Sequence, residues 1–579
     1  MRFLIWLTRR LEARWGARSV VGLALLLALP SLFAPLVADE HLQASRWRDR
    51  RGGLLGFLGD CFVFASGDPA EGRARMEHLG TWWAAPDLRV AFWRPLSAAT
   101  HAIDLALWPG SPALMHAHTL LWFAALLASL AALFHRLLPP RAALLALALY
   151  AWDDARGGLL SWVANRHALV AAVFSVGALL AHDRRRRDGW RPGAWLGPPL
   201  FAAGLLSSEM ALSTAGLLVG HALWVDREGP PSRRLARLAP YLVVAVAWQA
   251  VYSATGHGVV GSGAYLHPLH DPRAFLAQLP ARTLVLALGQ HTPLASDFWQ
   301  FTPAAARPAV VGAGLGLMLA VARAVWPAVA AERSSRFWLL GAALALLPVA
   351  AAVPGDRNLV FVGIGASAAL GLAFDATVHA LPSSRGARFV IASLAVCNLA
   401  LAPALLPLKC LANFNLERMR AAADASIPRA PGVAAETLAV VSVATEGTIY
   451  FVWTQREAAG VPTPRGTRIL STGFGPTSVR RVDAATLRVS PAGGYFASEL
   501  HRLMRSPSRP FRVGDVIALS DMRATVVALT DDGRPRTVEF RFATPLESVG
   551  RRWMRGAGMG LAPWAPPQVG ATVVVPAPL

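Results

Sequence analysis

Residues 168–181, ALVAAVFSVGALLA, run into Arg184-Arg185-Arg186-Arg187. An apolar run closed by a block of arginines marks a helix leaving a membrane on its cytoplasmic side, because loops on that side carry an excess of Lys and Arg. This is the strongest inside marker in the chain, and the other runs take their direction from it. Before it, 113–135 runs inward to Arg136 and Arg141, and 142–152 runs outward to Asp153-Asp154. After it, 194–206 goes out, Ser207-Ser208-Glu209 turns, and 211–225 returns to Arg227, Arg233 and Arg234. The run 238–254 leads out to a Gly/His loop at 256–272, 309–330 returns to Arg333 and Arg336, and 337–353 exits at Pro354-Gly355-Asp356-Arg357. Then 359–380 enters toward Arg385 and Arg388, and 389–408 goes out.

The first apolar run, 20–37, follows a basic segment, 1–19, that holds Arg2, Arg9, Arg10, Arg14 and Arg18. Its core is long enough to span, and Leu36-Val37-Ala38 makes a poor signal-peptidase site, so it reads as an uncleaved first span. The bundle, 20–408, then has about eleven spans by the length a bilayer core requires, with a cytoplasmic amino terminus and an extracytoplasmic carboxy terminus. Residues 273–290 read either as an interfacial helix or as a further hairpin element. The large outer loop, 38–112, holds Trp82-Trp83, which suits helices lying at the membrane interface.

Composition agrees. Of 579 residues, 54% are hydrophobic and 16% charged, against about 25% charged in a soluble domain. The net charge of +21 does not mark a nucleic-acid binder. Lys409 is the only lysine, so the positive charge is arginine, a pattern of biased base composition. The arginines gather in short loops between apolar runs, where positive-inside topology needs them. The three cysteines, Cys61, Cys397 and Cys410, form no CxxC or metal spacing and read as free thiols.

From about residue 412 the character changes. Runs at 437–443, 447–453, 465–470, 486–489, 516–519, 524–529 and 537–542 have strand composition, with turn pairs such as Gly493-Gly494 and Asp532-Gly533 between them. The fold class is therefore an all-α polytopic membrane bundle with a β-rich, sandwich-like extracytoplasmic domain over 412–579.

Ionisable groups at membrane depth are costly and so are candidates for function. Asp60, Asp153-Asp154 and Glu209 map to the outer face. Each also has a structural reading: a helix cap, a span end at the water interface, and an ion pair with a loop arginine. Arg94, Arg166-His167 and Arg357 face the same side, where guanidinium forks suit phosphate. His116 and His118, two apart on a helix, point to different faces and do not share a metal.

Several short motifs fall in a recognisable order. An acidic residue follows the first span, then Phe92-Trp93-Arg94-Pro95-Leu96, Asp104-Leu105-Ala106-Leu107-Trp108 and His116. Trp162-Val163-Ala164-Asn165-Arg166-His167, Ser207-Ser208-Glu209 and Asp356-Arg357-Asn358-Leu359 come next. Over roughly 20–380 this order resembles the GT-C type polytopic glycosyltransferases, in particular the protein O-mannosyltransferase and tetratricopeptide-bearing branch. A single Asp60 stands where that family often has two acids, Ser208 replaces a lysine, and no tetratricopeptide array follows.

The resemblance implies an outward cleft in which a sugar leaves a polyprenyl-phosphate carrier for a glycan, lipid or protein acceptor. Asp60 first, then Glu209 and Asp154, would act as carboxylate catalysts, and Arg94, Arg166 and Arg357 would hold the lipid phosphate. His116, His167 and Asp153 would line the cleft. A divalent metal could join carboxylates to phosphate oxygens, and no other cofactor is implied. The other open reading is a non-catalytic or transport-type envelope protein whose β domain binds a partner. Under the topology above, a cysteine at Ser478 in a cysteine-free background reacts with an impermeant maleimide without the inner membrane being opened. Labelling only after that membrane is opened would reverse the orientation.

Overall fold

The computed structural model describes residues 16–50, 52–331, 333–379 and 384–578. Arg2, Arg9, Arg10, Arg14 and Ala380 lie outside the described residues. Among those described, six helices are long and apolar enough to cross a membrane: Gly16–Phe33, Pro112–Leu137, Val163–Arg187, Ala304–Ala328, Asp356–Val378 and Arg385–Ala425. Four shorter apolar helices, Pro140–Ala151, Glu209–Val225, Ala239–Ala254 and Ser335–Val349, pack among them. The chain is a multi-pass membrane protein.

Burial sorts the helices. Asp356–Val378 is 89% buried and forms the centre of the bundle, whereas Ala304–Ala328 is 22% buried and presents most of its surface outward. The central helix can approach its neighbours because glycines face them. A Cβ on Gly365 would lie 2.4 Å from the Trp338 carbonyl, and one on Gly371 would lie 2.7 Å from that of Ala142. Residues 272–291, ambiguous in sequence, form one helix, Pro272–His291, packed against Arg307–Ala331.

A second hydrophobic core lies outside the bundle. It joins the outer loop, from Phe57 to Ala102, to the carboxy-terminal domain, from Ala423 to Val575. Trp82 and Trp83 are fully buried there. The Trp82 ring meets Tyr495 at 5.6 Å, Phe511 at 5.8 Å and Phe540 at 5.6 Å. This corrects the interfacial placement read from sequence: a large aromatic removes more apolar area from water inside a core than at a headgroup boundary. Gly80, with φ +71, closes helix Pro69–Leu79, and a Cβ there would lie 2.5 Å from the Thr467 carbonyl. Loop and domain are thus in backbone contact.

The domain holds two sheets. One is six-stranded and antiparallel, in spatial order Thr572–Val575, Thr477–Arg481, Thr486–Pro491, Pro535–Phe542, Met522–Leu529, Val516–Leu519. The other runs Gly560–Pro563, Arg551–Ala557, Thr437–Val440, Gly466–Ile469 and contains parallel pairs. The domain is β-rich as expected, but residues 447–453 are not a strand. They begin helix Gly447–Ala458, whose buried positions Thr448, Ile449, Val452, Trp453 and Arg456 follow the helical period. Its β-branched and aromatic composition points the other way. The parallel pairing of the strands on either side requires a crossover of about a dozen residues, and this helix supplies it.

Trp82→Ala should destabilise the extramembrane unit by about 3–5 kcal/mol, the usual cost of emptying a core aromatic site. Chemical denaturation should show the loop and residues 412–579 loosening together, while the bundle keeps its helical signal.

Candidate functional site

Between the two cores lies a cavity of about 250 Å³. Its roof includes residues of a three-stranded sheet, Val63–Ser66, Arg89–Ala91 and Gly258–Val260, and its floor comes from the ends of bundle helices. Phe62, Phe64, Phe92, Trp248, Met210 and Leu347 give it an apolar wall. Asp39, Arg94, His167, Glu209, Tyr265 and Arg357 supply the polar groups.

Asp39 opens helix Asp39–Asp49, directly after the first span. Its neighbour Glu40 is buried and fixes the turn. One Glu40 carboxylate oxygen accepts from the Val37 amide at 3.0 Å, and the other accepts from the Ala164 amide at 3.1 Å. That stitch ties the entry turn to turn Val163–Asn165 and leaves Asp39 facing the cavity. Burial pushes the Glu40 carboxyl up to about 8, with the charge of Asp39 adding to the rise. Burial also pushes Asp39 up to about 6, against the attraction of Arg357, Arg94 and Arg46. Among the described residues, the Asp39 carboxylate has no hydrogen-bond or ion-pair partner.

Glu209 is held differently. The turn before it is fastened by Leu96 N donating to the Leu206 carbonyl at 3.1 Å and by Ser97 Oγ donating to Ser207 at 2.9 Å. Ser208 Oγ lies 3.1 Å from His167 Nδ1. Glu209 then takes Arg94 through both oxygens, with Nε to one oxygen at 2.9 Å and Nη2 to the other. Arg94 also stacks over Phe92 at 4.3 Å and Phe62 at 5.2 Å. Glu209 is therefore committed to a guanidinium.

Arg357 is less constrained. Its Nη2 lies 3.4 Å from the Tyr265 hydroxyl, and among the described residues no carboxylate lies within 4.0 Å of it. The turn that carries it is rigid. Asp356 accepts from the Ser296 amide at 2.8 Å, and its own amide donates to Asp297 at 2.9 Å. Lys409 Nζ bridges Asp356 at 2.8 Å and Asp154 at 2.5 Å. The result is a fixed guanidinium with unused donors.

Of the sequence-read candidates, Glu209, Arg94, Arg357 and His167 come together here. The others lie elsewhere. Asp60 is exposed at the end of helix Gly53–Asp60, where its carbonyl accepts from Arg46. Asp153 pairs with Arg156 at 2.9 Å, and Asp154 belongs to the Lys409 bridge. Arg166 is fully buried against Asp104 at 2.5 Å, with further bonds to Thr119 and the Met115 carbonyl. His116 is buried between the carbonyls of Leu160 and Ala34. Asp39 and Tyr265 are the residues that sequence reasoning missed. For Asp39 a signal was present: Asp39-Glu40 is a doubled acid directly after the first apolar run.

No protein-family model matches the chain, and no curated protein matches it. Among solved structures it is similar to the crystal structure of ArnT from Cupriavidus metallidurans bound to undecaprenyl phosphate, at 13% identity and a TM-score of 0.38. That alignment covers 91% of this chain and 98% of the other. At that score the likeness carries no argument about activity, and the reading below rests on the cavity's own residues.

Glu209→Gln removes the charge that neutralises Arg94 and should cost about 1.5–3 kcal/mol, the range for hydrogen bonds to charged groups. A lowered melting temperature in detergent would show it; an unchanged one would mean the pair contributes little to folding.

Proposed function

We propose that the cavity binds a polyprenyl-phosphate-linked sugar at the outer face of the cytoplasmic membrane and passes the sugar to an acceptor hydroxyl with inversion. The observation that carries this reading is the coexistence, in one cavity beside an apolar wall, of an unneutralised guanidinium, Arg357, and an unpartnered carboxylate, Asp39. An apolar wall suits a lipid chain, the guanidinium suits its phosphate, and the carboxylate suits a proton in transit.

The step balances as a direct displacement. The acceptor oxygen forms a bond to the anomeric carbon as its proton passes to Asp39. The bond from that carbon to the phosphate oxygen breaks, and its electron pair stays on the phosphate. Arg357 stabilises the charge that develops there. Arg94, already neutralised by Glu209, positions the aromatic wall through its contacts with Phe92 and Phe62. A raised carboxyl value near 6 leaves Asp39 mostly ionised at neutral pH and more basic than an ordinary carboxylate. A divalent cation, if one takes part, would have Asp39 from this cavity and would draw its remaining ligands from phosphate and sugar oxygens. The orientation inferred from the arginine loops, with residues 412–579 outside, belongs to the same reading.

Asp39→Asn keeps the size and removes the proton acceptor. With a panel of polyprenyl-phosphate sugars, transfer should fall about 10²–10⁴-fold, the usual share of a general base. Asp60→Asn should transfer normally. The wild-type rate should hold above pH 6 and fall tenfold per unit below it, because the basic form is lost as pH drops through the raised value. Loss in Asp60→Asn with normal transfer in Asp39→Asn would return the role to Asp60. Normal transfer by Asp39→Asn and Arg357→Gln alike would remove both residues from the chemistry, and no transfer by the wild type from any donor in the panel would favour a non-catalytic envelope role.

A further inference from the structure

The seam between the bundle and the carboxy-terminal domain carries more guanidinium than carboxylate. Arg282, on helix Pro272–His291, and Arg307, at the start of helix Arg307–Ala331, share Glu499. Arg282 Nη2 lies 3.3 Å from one oxygen, and Arg307 Nη1 lies 3.9 Å from the other, which also accepts from Trp299 Nε1 at 2.9 Å. Arg307 Nη2 is buried and, among the described residues, has no hydrogen-bond partner. Arg502 Nε donates to the Phe496 carbonyl at 3.3 Å, and among the described residues no carboxylate lies within 4.0 Å of Arg502. Burial, then the like charges of Arg307 and Arg534, holds the Arg502 guanidinium below its ordinary value. Arg534 is itself occupied by Asp532 at 2.7 Å. Arg307 therefore approaches a carboxylate that lies three residues before Arg502, and both arginines keep donors to spare.

Their position says what kind of anion would fill the gap. Arg307 lies within the apolar window Ala304–Ala328, most of which faces outward, so it stands at the end of a lipid-facing helix. On the preceding turn, Ser296–Phe301, Phe298 is 59% exposed and Phe301 is 44% exposed. Exposed aromatic rings beside surplus arginine suit the headgroup boundary of a bilayer. We propose that Arg307 and Arg502 bind the phosphodiester of an anionic membrane lipid, with Phe298 and Phe301 against the upper part of its chains. Neither arginine lines the cavity described above, so this site stands or falls separately from the transfer reaction.

The full chain, reconstituted in bilayers of phosphatidylcholine with phosphatidylglycerol and then extracted, can be weighed with its retained lipids by native mass spectrometry. The wild type should retain phosphatidylglycerol over phosphatidylcholine. Arg307→Gln with Arg502→Gln should reduce that preference about tenfold or more, the scale that two interfacial arginines contribute. Lysine at both positions should keep part of it. Should the double variant not fold, Arg502→Gln alone serves, since it leaves the Arg282–Glu499–Arg307 group intact. Equal preference in wild type and glutamine variants would overturn the proposal. So would displacement of the retained phosphatidylglycerol by millimolar inorganic phosphate, which would mark a site for a soluble anion.

Discussion

The outer loop and the carboxy-terminal domain share one hydrophobic core, and the rest of the site depends on that sharing. Trp82 lies among aromatic rings contributed by residues more than four hundred positions away in the chain. Because neither segment closes the core by itself, the loop is folded only where the domain covers it. The three-stranded sheet that roofs the cavity runs from this loop to residues 258–260. The roof over Asp39 and Arg357 is therefore held by packing that begins far from either residue. An unpartnered, half-buried carboxylate and a guanidinium with no carboxylate beside it persist in one cavity only where the surrounding backbone does not move to quench them.

Charge pairing explains why the cavity's chemistry falls to so few groups. An ion left unpaired in a low-dielectric setting costs several kcal/mol, and this chain settles most of its acids accordingly. Asp104 takes Arg166, Asp153 takes Arg156, Asp183 takes Arg136 and His221, and Asp226 takes Arg186 and Arg237. Glu209 takes Arg94. Except for Asp153–Arg156, which closes a single turn, these pairs join segments distant in the chain or on separate helices. Asp39 stands out because Glu40, next to it, does the fastening through two backbone amides, so its neighbour need not.

The helices were legible because apolar runs bounded by arginine blocks have few other readings. Strands at 437–440, 466–469 and 524–529 were legible from their composition and turns. Residues 447–458 were not, since their side chains favour a strand and only the pairing of distant strands makes a helix necessary there. At the site, His167, Glu209 and Arg357 could be found because each adjoins an apolar run, and Arg94 because it stands in the Phe92–Leu96 motif of the outer loop. The choice between Asp39 and Asp60 could not be made from spacing. Both follow the first run, and what separates them is the bond from Glu40 to Ala164, which joins residues 124 positions apart. Arg166 misled for the opposite reason. Its position in the chain suits an outward role, but Asp104 draws it inward.

The bridge at Lys409 has a practical side. The chain's single lysine is pressed between two carboxylates, Asp154 and Asp356, with its ammonium mostly covered. Reagents that acylate primary amines consequently find no open lysine on this chain, the single ammonium being held by its two carboxylates. A lysine introduced at one exposed position would be the single open side-chain amine beside the chain's terminal α-amine. The side chains are in effect a blank surface for acylation, on which a spectroscopic probe could be written at a chosen place.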